Sequence, residues 1–208
     1  MPGLKPHEIE VRSMEIIDGL LPDGDWSPGE LAVVKRLVHT SGDPSLAADV
    51  RFSAGAVDAG VAALRAGASV FTDTHMVRIG VNADRVRALG GDVECLISDE
   101  TIAARSTAIG QTRAACAMRA FGSRLDGAVV ALGNAPTALR EVLALAAEGV
   151  SSPALVIGMP VGFVDAAESK DALIASELTS ITIEGTRGGS PLAAATVNAL
   201  LRVLEAGV

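Results

Sequence analysis

Five short apolar runs, separated by stretches long enough for helices, constrain this chain most. They are Ser69 to Thr72, Val93 to Ile97, Ala128 to Leu132, Ala154 to Ile157 and Ile181 to Glu184. Each is too short for a helix and reads as a strand. Helical segments follow them at Asn82 to Leu89, Asp99 to Phe121, Pro136 to Glu148, Asp165 to Glu177 and Pro191 to Glu205. Strand and helix in alternation specify an α/β chain, here a five-stranded parallel sheet with helices on both faces. Ahead of the first run, helices are expected at His7 to Leu20, from Ser27 onward and at Ser53 to Gly67, while Leu46 to Phe52 fits helix or extended structure. No linker, repeat or low-complexity stretch interrupts the 208 residues, and 49% of them are hydrophobic, so a single domain over 1–208 is expected.

Charge and composition narrow the partners. A net charge of −8 opposes nucleic acid and anionic membranes, and any anionic ligand then needs local arginines to hold it. The Met1 to Val11 segment lacks the apolar core of a secretory signal, and no run approaches the roughly 18 apolar residues of a membrane span. Cys95 and Cys116 fall in separate elements and match no metal-ligand spacing, which indicates a reduced, cytoplasmic protein with no bound metal. No glycine-rich loop has the spacing of a nucleotide fingerprint.

In an open α/β sheet, ligands bind outside the carboxyl ends of the strands. The segments there are Asp73-Thr74-His75-Met76-Val77, Gly133-Asn134-Ala135-Pro136-Thr137, Gly158-Met159-Pro160-Val161-Gly162-Phe163 and Gly185-Thr186-Arg187-Gly188-Gly189-Ser190. Glycines admit a ligand close to the backbone, and Pro136 and Pro191 mark helix N-termini whose free N–H groups suit anions. These turns are therefore either sites for several carboxylates or phosphates, or ordinary strand-to-helix connections. Arg105, Arg113, Arg119 and Arg124 either grip carboxylates or lie on a solvated surface, with surface favoured for the last two. Glu168 and Lys170 read as capping or surface residues.

One imidazole stands out by position. Ser27-Pro28-Gly29-Glu30 is a capping box, and Leu31, Val34, Leu37 and Val38 form one apolar stripe that delivers His39 to the end of a helix. The helix dipole favours a protonated ring there, and Thr40-Ser41-Gly42-Asp43 offers hydroxyls and a carboxylate to orient it. His39 is then either a proton donor or a cap on the last carbonyls of its helix. His75, in the first strand's turn, is the second candidate.

The segments Leu37-Val38-His39-Thr40-Ser41-Gly42-Asp43, Thr72-Asp73-Thr74 with Met76-Val77, Gly133-Asn134-Ala135-Pro136-Thr137-Ala138-Leu139, Pro160-Val161-Gly162-Phe163-Val164 with Ala167-Glu168-Ser169-Lys170, and Gly188-Gly189-Ser190 resemble those of the precorrin-8X methylmutase family. They do so in order over nearly the whole chain. The resemblance implies a flavodoxin-like doubly wound fold, a homodimer with active sites near the interface, and a corrinoid tetrapyrrole substrate edged with carboxylates. It implies migration of a methyl group from C-11 to C-12 of the macrocycle in cobalamin biosynthesis, giving hydrogenobyrinate or its cobalt-containing counterpart, without cofactor or catalytic metal. His39 takes the place of the family's catalytic histidine, and Ser13, Thr74 and Arg113 those of its substrate-binding residues. Gly133, Asn134, Thr137, Gly188, Gly189 and Ser190 complete the expected binding surface. The other readings are a non-catalytic corrinoid carrier, which would use the same pocket, and on fold alone a nucleotide- or flavin-binding module.

Overall fold

The structure is a computed structural model and describes residues 5–207. Its centre is a six-stranded, mostly parallel sheet. Strands β2 (Val70–Thr72), β3 (Val93–Glu94), β4 (Val129–Leu132), β5 (Leu155–Gly158) and β6 (Ser180–Ile183) are parallel, in spatial order β3-β2-β4-β5-β6. β4, β5 and β6 are buried at every position, which is why β4 and β5 read as unbroken apolar runs, while β6 alternates Ser180 and Thr182 with Ile181 and Ile183.

The five-stranded expectation is corrected by β1 (Val50–Phe52), which pairs antiparallel with β6 at the edge, Val50 opposite Ile183 and Phe52 opposite Ile181. Ser53 extends this edge: its N–H donates to Ser180 O at 2.9 Å, and its hydroxyl accepts from Ser180 N at 2.8 Å. Three residues are too few for a period to show, and Pro44–Asp49 just before them is a 3₁₀ turn, so the stretch gave a mixed signal.

Side chains alternate across the sheet and divide the core in two. Val129, Ala131, Leu155, Ile157, Ile181 and Ile183 point to the face covered by α2 (Pro28–Ser41), α3 (Ala56–Arg65) and α10 (Ser190–Ala206). Phe71, Val130, Leu132 and Val156 point to the face covered by α7 (Arg113–Phe121), α8 (Pro136–Ala147) and α9 (Ala166–Ile174). Against α2 and its neighbours packs α1 (Pro6–Asp18).

Two further differences bear on the site. The expected helix from Asp99 to Phe121 is two helices, α6 (Glu100–Ile109) and α7, broken where Gly110 takes a left-handed φ of 66° and the Thr112 hydroxyl caps the new N-terminus. This brings Arg113 from mid-helix to the first position of α7. The turn after β2 is a short helix, α4 (His75–Gly80), followed by α5 (Ala83–Ala88).

Candidate functional site

His39 stands in the last turn of α2, which ends at Gly42 with φ 67°. The capping box at Ser27 and Glu30 forms as expected. The ring is exposed, and its Nδ1 shares a 2.9 Å hydrogen bond with the Ser13 hydroxyl on α1. It does not cap its own helix through that nitrogen. The orienting group is also not the one expected. Thr40 turns its hydroxyl back to Arg36 O at 2.8 Å, Ser41 bonds Val38 O at 3.2 Å, and the Asp43 carboxylate caps the 3₁₀ turn through Ser45 N at 2.9 Å. Short polar side chains at a helix end satisfy nearby backbone first, so the ring is held from α1 instead.

The order of the parallel strands places the topological switch point between β2 and β4, where the following connections diverge. Asp73 spans it. Its buried carboxylate accepts from Gly133 N at 3.0 Å, Asn134 N at 2.8 Å and Ala135 N at 2.8 Å. Burial pushes this carboxyl above its ordinary value, and the three N–H groups pull against that shift. The backbone donors that the sequence offered for a ligand anion at Gly133 to Ala135 are thus already engaged. Next to Asp73, the Thr74 hydroxyl caps α4 and lies 3.2 Å from the hydroxyl of Ser190.

The glycines here serve contacts between turns. A Cβ on Gly133 would sit 2.5 Å from Ser190 Cα, and one on Gly188 would sit 2.4 Å from Met159 O. Gly189, at φ 120°, donates to Met159 O at 2.8 Å. Thr74, Gly133, Asn134, Gly188, Gly189 and Ser190 therefore belong to one tightly packed cluster, with the Asn134 residue exposed at its rim. Thr137, at the start of α8, lies 2.7 Å from the Thr112 hydroxyl that caps α7, so α7 presents Arg113 beside the start of α8. Arg113 is exposed and forms no ion pair with a described residue. Arg119 pairs with Glu141 and Glu148, and Arg124 pairs with Glu94 while lying over the rings of Phe71 and Phe121. His75 is half-buried and bonds Ser98 at 2.9 Å. Among the described residues no group of His, Cys, Asp or Glu could hold a metal ion.

Known proteins answer to this chain over its length. The family model described as precorrin-8X methylmutase matches residues 8–203. The chain belongs to the precorrin-8X methylmutase family. A cobalt-precorrin-8 methylmutase of Priestia megaterium is 38% identical over 99% of this chain and 91% of its own length. A precorrin-8X methylmutase of Pseudomonas aeruginosa is 44% identical over 79% of this chain and 80% of its own. The crystal structure of the precorrin-8X methylmutase of Thermus thermophilus superposes with a TM-score of 0.89 at 40% identity, covering 97% of each chain. The protein is accordingly an isomerase, a methylmutase of cobalamin biosynthesis. No helix among its described residues is long and apolar enough to cross a membrane.

Two residues of this methylmutase do more than their sequence setting suggested. Lys170 is fully buried, not at the surface, and its Nζ donates to Arg187 O at 2.5 Å. The Arg187 side chain reaches the other way, to Asp43 at 2.7 Å and to Asp49. The turn carrying Gly188 and Gly189 is therefore braced from α9 and from the segment that follows α2.

Burial pushes the Lys170 ammonium down to about 8 from its ordinary 10.5. Between those values the unfolded chain binds the extra proton, so this group's contribution to stability rises with pH across that window. Below about pH 8 the cost of burying the charge is present in full. Lys170→Met removes this dependence. Its stability relative to wild type, from urea midpoints, is expected to fall as pH rises from 7 to 10. An equal difference at both values would place the Lys170 proton elsewhere.

Proposed function

We propose that the protein moves a methyl group from C-11 to C-12 of precorrin-8X or its cobalt form, giving hydrogenobyrinate or cobyrinate, with His39 as proton donor to the macrocycle. The observation that carries this reading is the Ser13–His39 hydrogen bond. With Nδ1 engaged, Nε2 faces outward as the acid. The serine hydroxyl accepts from Nδ1–H both in the charged ring and in the neutral ring left when Nε2 gives its proton, so the same contact serves both states and keeps Nε2 free to take the proton back. Protonation gives a conjugated cation in which the methyl can migrate with its bonding electrons. Because the overall change is an isomerisation, the proton is then returned, and neutral His39 is placed to take it.

The peripheral acids of such a substrate need cations on a protein of net charge −8. Arg113 is one without a competing carboxylate, and Thr74, Asn134, Thr137 and Ser190 supply hydroxyl and amide groups on the same carboxyl edge, with Gly133, Gly188 and Gly189 shaping it. We further read the chain as one flavodoxin-like domain on its parallel strand order. It works as a cytoplasmic homodimer with the sites near the interface.

Purified protein is expected to convert metal-free or cobalt-loaded substrate, seen as a change of chromophore in solution. A spectrum that only shifts on binding, with the ligand recovered unchanged, would overturn the reading. Arg113→Ala is expected to weaken substrate and product together by roughly 1.5 to 3 kcal/mol. Arg124→Ala, whose guanidinium is held by Glu94 and two rings, is the control and should bind as wild type. Equal binding by both variants would remove Arg113 from the site.

A further inference from the structure

Beside the site lies a groove of about 370 Å³ that the reading above leaves unused. Its floor is the outward stripe of α10, which carries Pro191, Asn198 and Arg202, and its walls are α2, with Arg36 and Thr40, and the α4–α5 corner, with Arg85. The corner is fixed. Asn198 Oδ1 accepts from Asn82 N at 2.8 Å and its Nδ2 donates to Gly80 O at 2.8 Å, which occupies both ends of the amide.

The charges along this groove do not cancel. Arg36 and Arg202 share a single carboxylate oxygen, Glu10 Oε1, each at 2.7 Å. Arg85 pairs with Glu205 at 3.3 Å. Three guanidinium groups thus face two carboxylates, and neither carboxylate belongs to a residue lining the groove. One positive charge is left over inside a protein of net charge −8. Arginine forks bind carboxylates in pairs of hydrogen bonds, so an incoming acid would meet donors that one shared oxygen leaves unfilled.

Position links the groove to the reaction. Thr40 directly follows His39, and Pro191 directly follows Ser190, whose hydroxyl lies beside Thr74. The volume is too small for a macrocycle but accommodates an acid arm reaching from one. We propose that this groove is a carboxylate subsite of the methylmutase, in which Arg36, Arg85 and Arg202 hold a peripheral acid arm of the ring and thereby set its orientation at His39. The proposal rests on the function proposed above.

The test compares Arg85→Gln, Arg202→Gln and Glu205→Gln with wild type. The probes are the acid product and a form of it with the peripheral carboxyls converted to amides, at matched salt. Each arginine variant is expected to weaken the acid about tenfold and the amide by less than about twofold. In turnover the loss should fall on KM more than on kcat. Glu205→Gln frees Arg85 from its competitor and is expected to tighten the acid by about threefold. A pair that only braced the fold would give loss in both Arg85→Gln and Glu205→Gln, for acid and amide alike, and that result would overturn the subsite. Unchanged acid affinity in both arginine variants, with wild type turning over normally, would overturn it as well and leave the methylmutase reading standing. A wild-type protein that neither binds nor converts the corrinoid would remove both.

Discussion

His39→Ala is expected to lower turnover by about 100- to 10,000-fold, the range that a positioned general acid contributes, while the protein remains folded and still binds the macrocycle. The expectation of intact folding follows from the setting. The ring is exposed and bonds Ser13 alone among the described residues, so its loss orphans no buried group. Ser13→Ala should act in the same direction but less, because it loosens the ring without removing the acid, and it should leave substrate affinity nearer to wild type than Arg113→Ala does. His75→Ala should be mild, since that ring is tied to Ser98 beside α4. Single-turnover absorbance with enzyme in excess separates these cases, because binding and conversion then appear as distinct phases. Wild-type conversion by His39→Ala would remove it from the mechanism. A complete loss in His75→Ala with folding intact would assign the chemistry to the other imidazole.

What the residues disclosed in advance follows the physics of each signal. Strands β4 and β5 were legible because burial on both faces leaves only apolar side chains and glycine, and β6 because Ile181 and Ile183 still mark a buried run. The helix carrying His39 was legible because its capping box and its apolar stripe agree. β1 was not, since three residues paired to an edge carry too little periodicity and their register is set by β6, far along the chain. Lys170 was legible in principle. Ala166, Lys170 and Leu173 are spaced by four and three, so the stripe that buries the helix passes through the lysine, and its charge concealed that. Ser13 and Arg36 lie on helices whose pairing is a tertiary fact, and nothing local in either segment announces the contact of Ser13 with His39 or of Glu10 with Arg36. The glycine turns were correctly placed at the carboxyl edge, but their small residues serve the close approach of one turn to another.

Asp73 carries the other large effect. Its carboxylate sits at the end of β2, bonds no cation among the described residues, and is kept there by three backbone N–H groups of the connection after β4. In Asp73→Ala those donors lose their acceptor, and Gly133 and Ala135 are buried where water cannot replace it. At about 1 to 3 kcal/mol for each of these two unsatisfied buried groups, the expected loss is on the order of 2 to 6 kcal/mol, a large part of the roughly 5 to 15 kcal/mol that holds a domain folded. Asp73→Asn should be nearly as harmful, since its amide nitrogen would point a donor at donors. Activity should fall in both, because Thr74, Gly133 and Ser190 are packed together across the switch point that Asp73 closes. The readout is the ratio of activity to folded fraction across a urea titration. If activity vanishes in Asp73→Asn while the unfolding midpoint stays at the wild-type value, the carboxylate is part of the chemistry and not the clamp that the three hydrogen bonds describe.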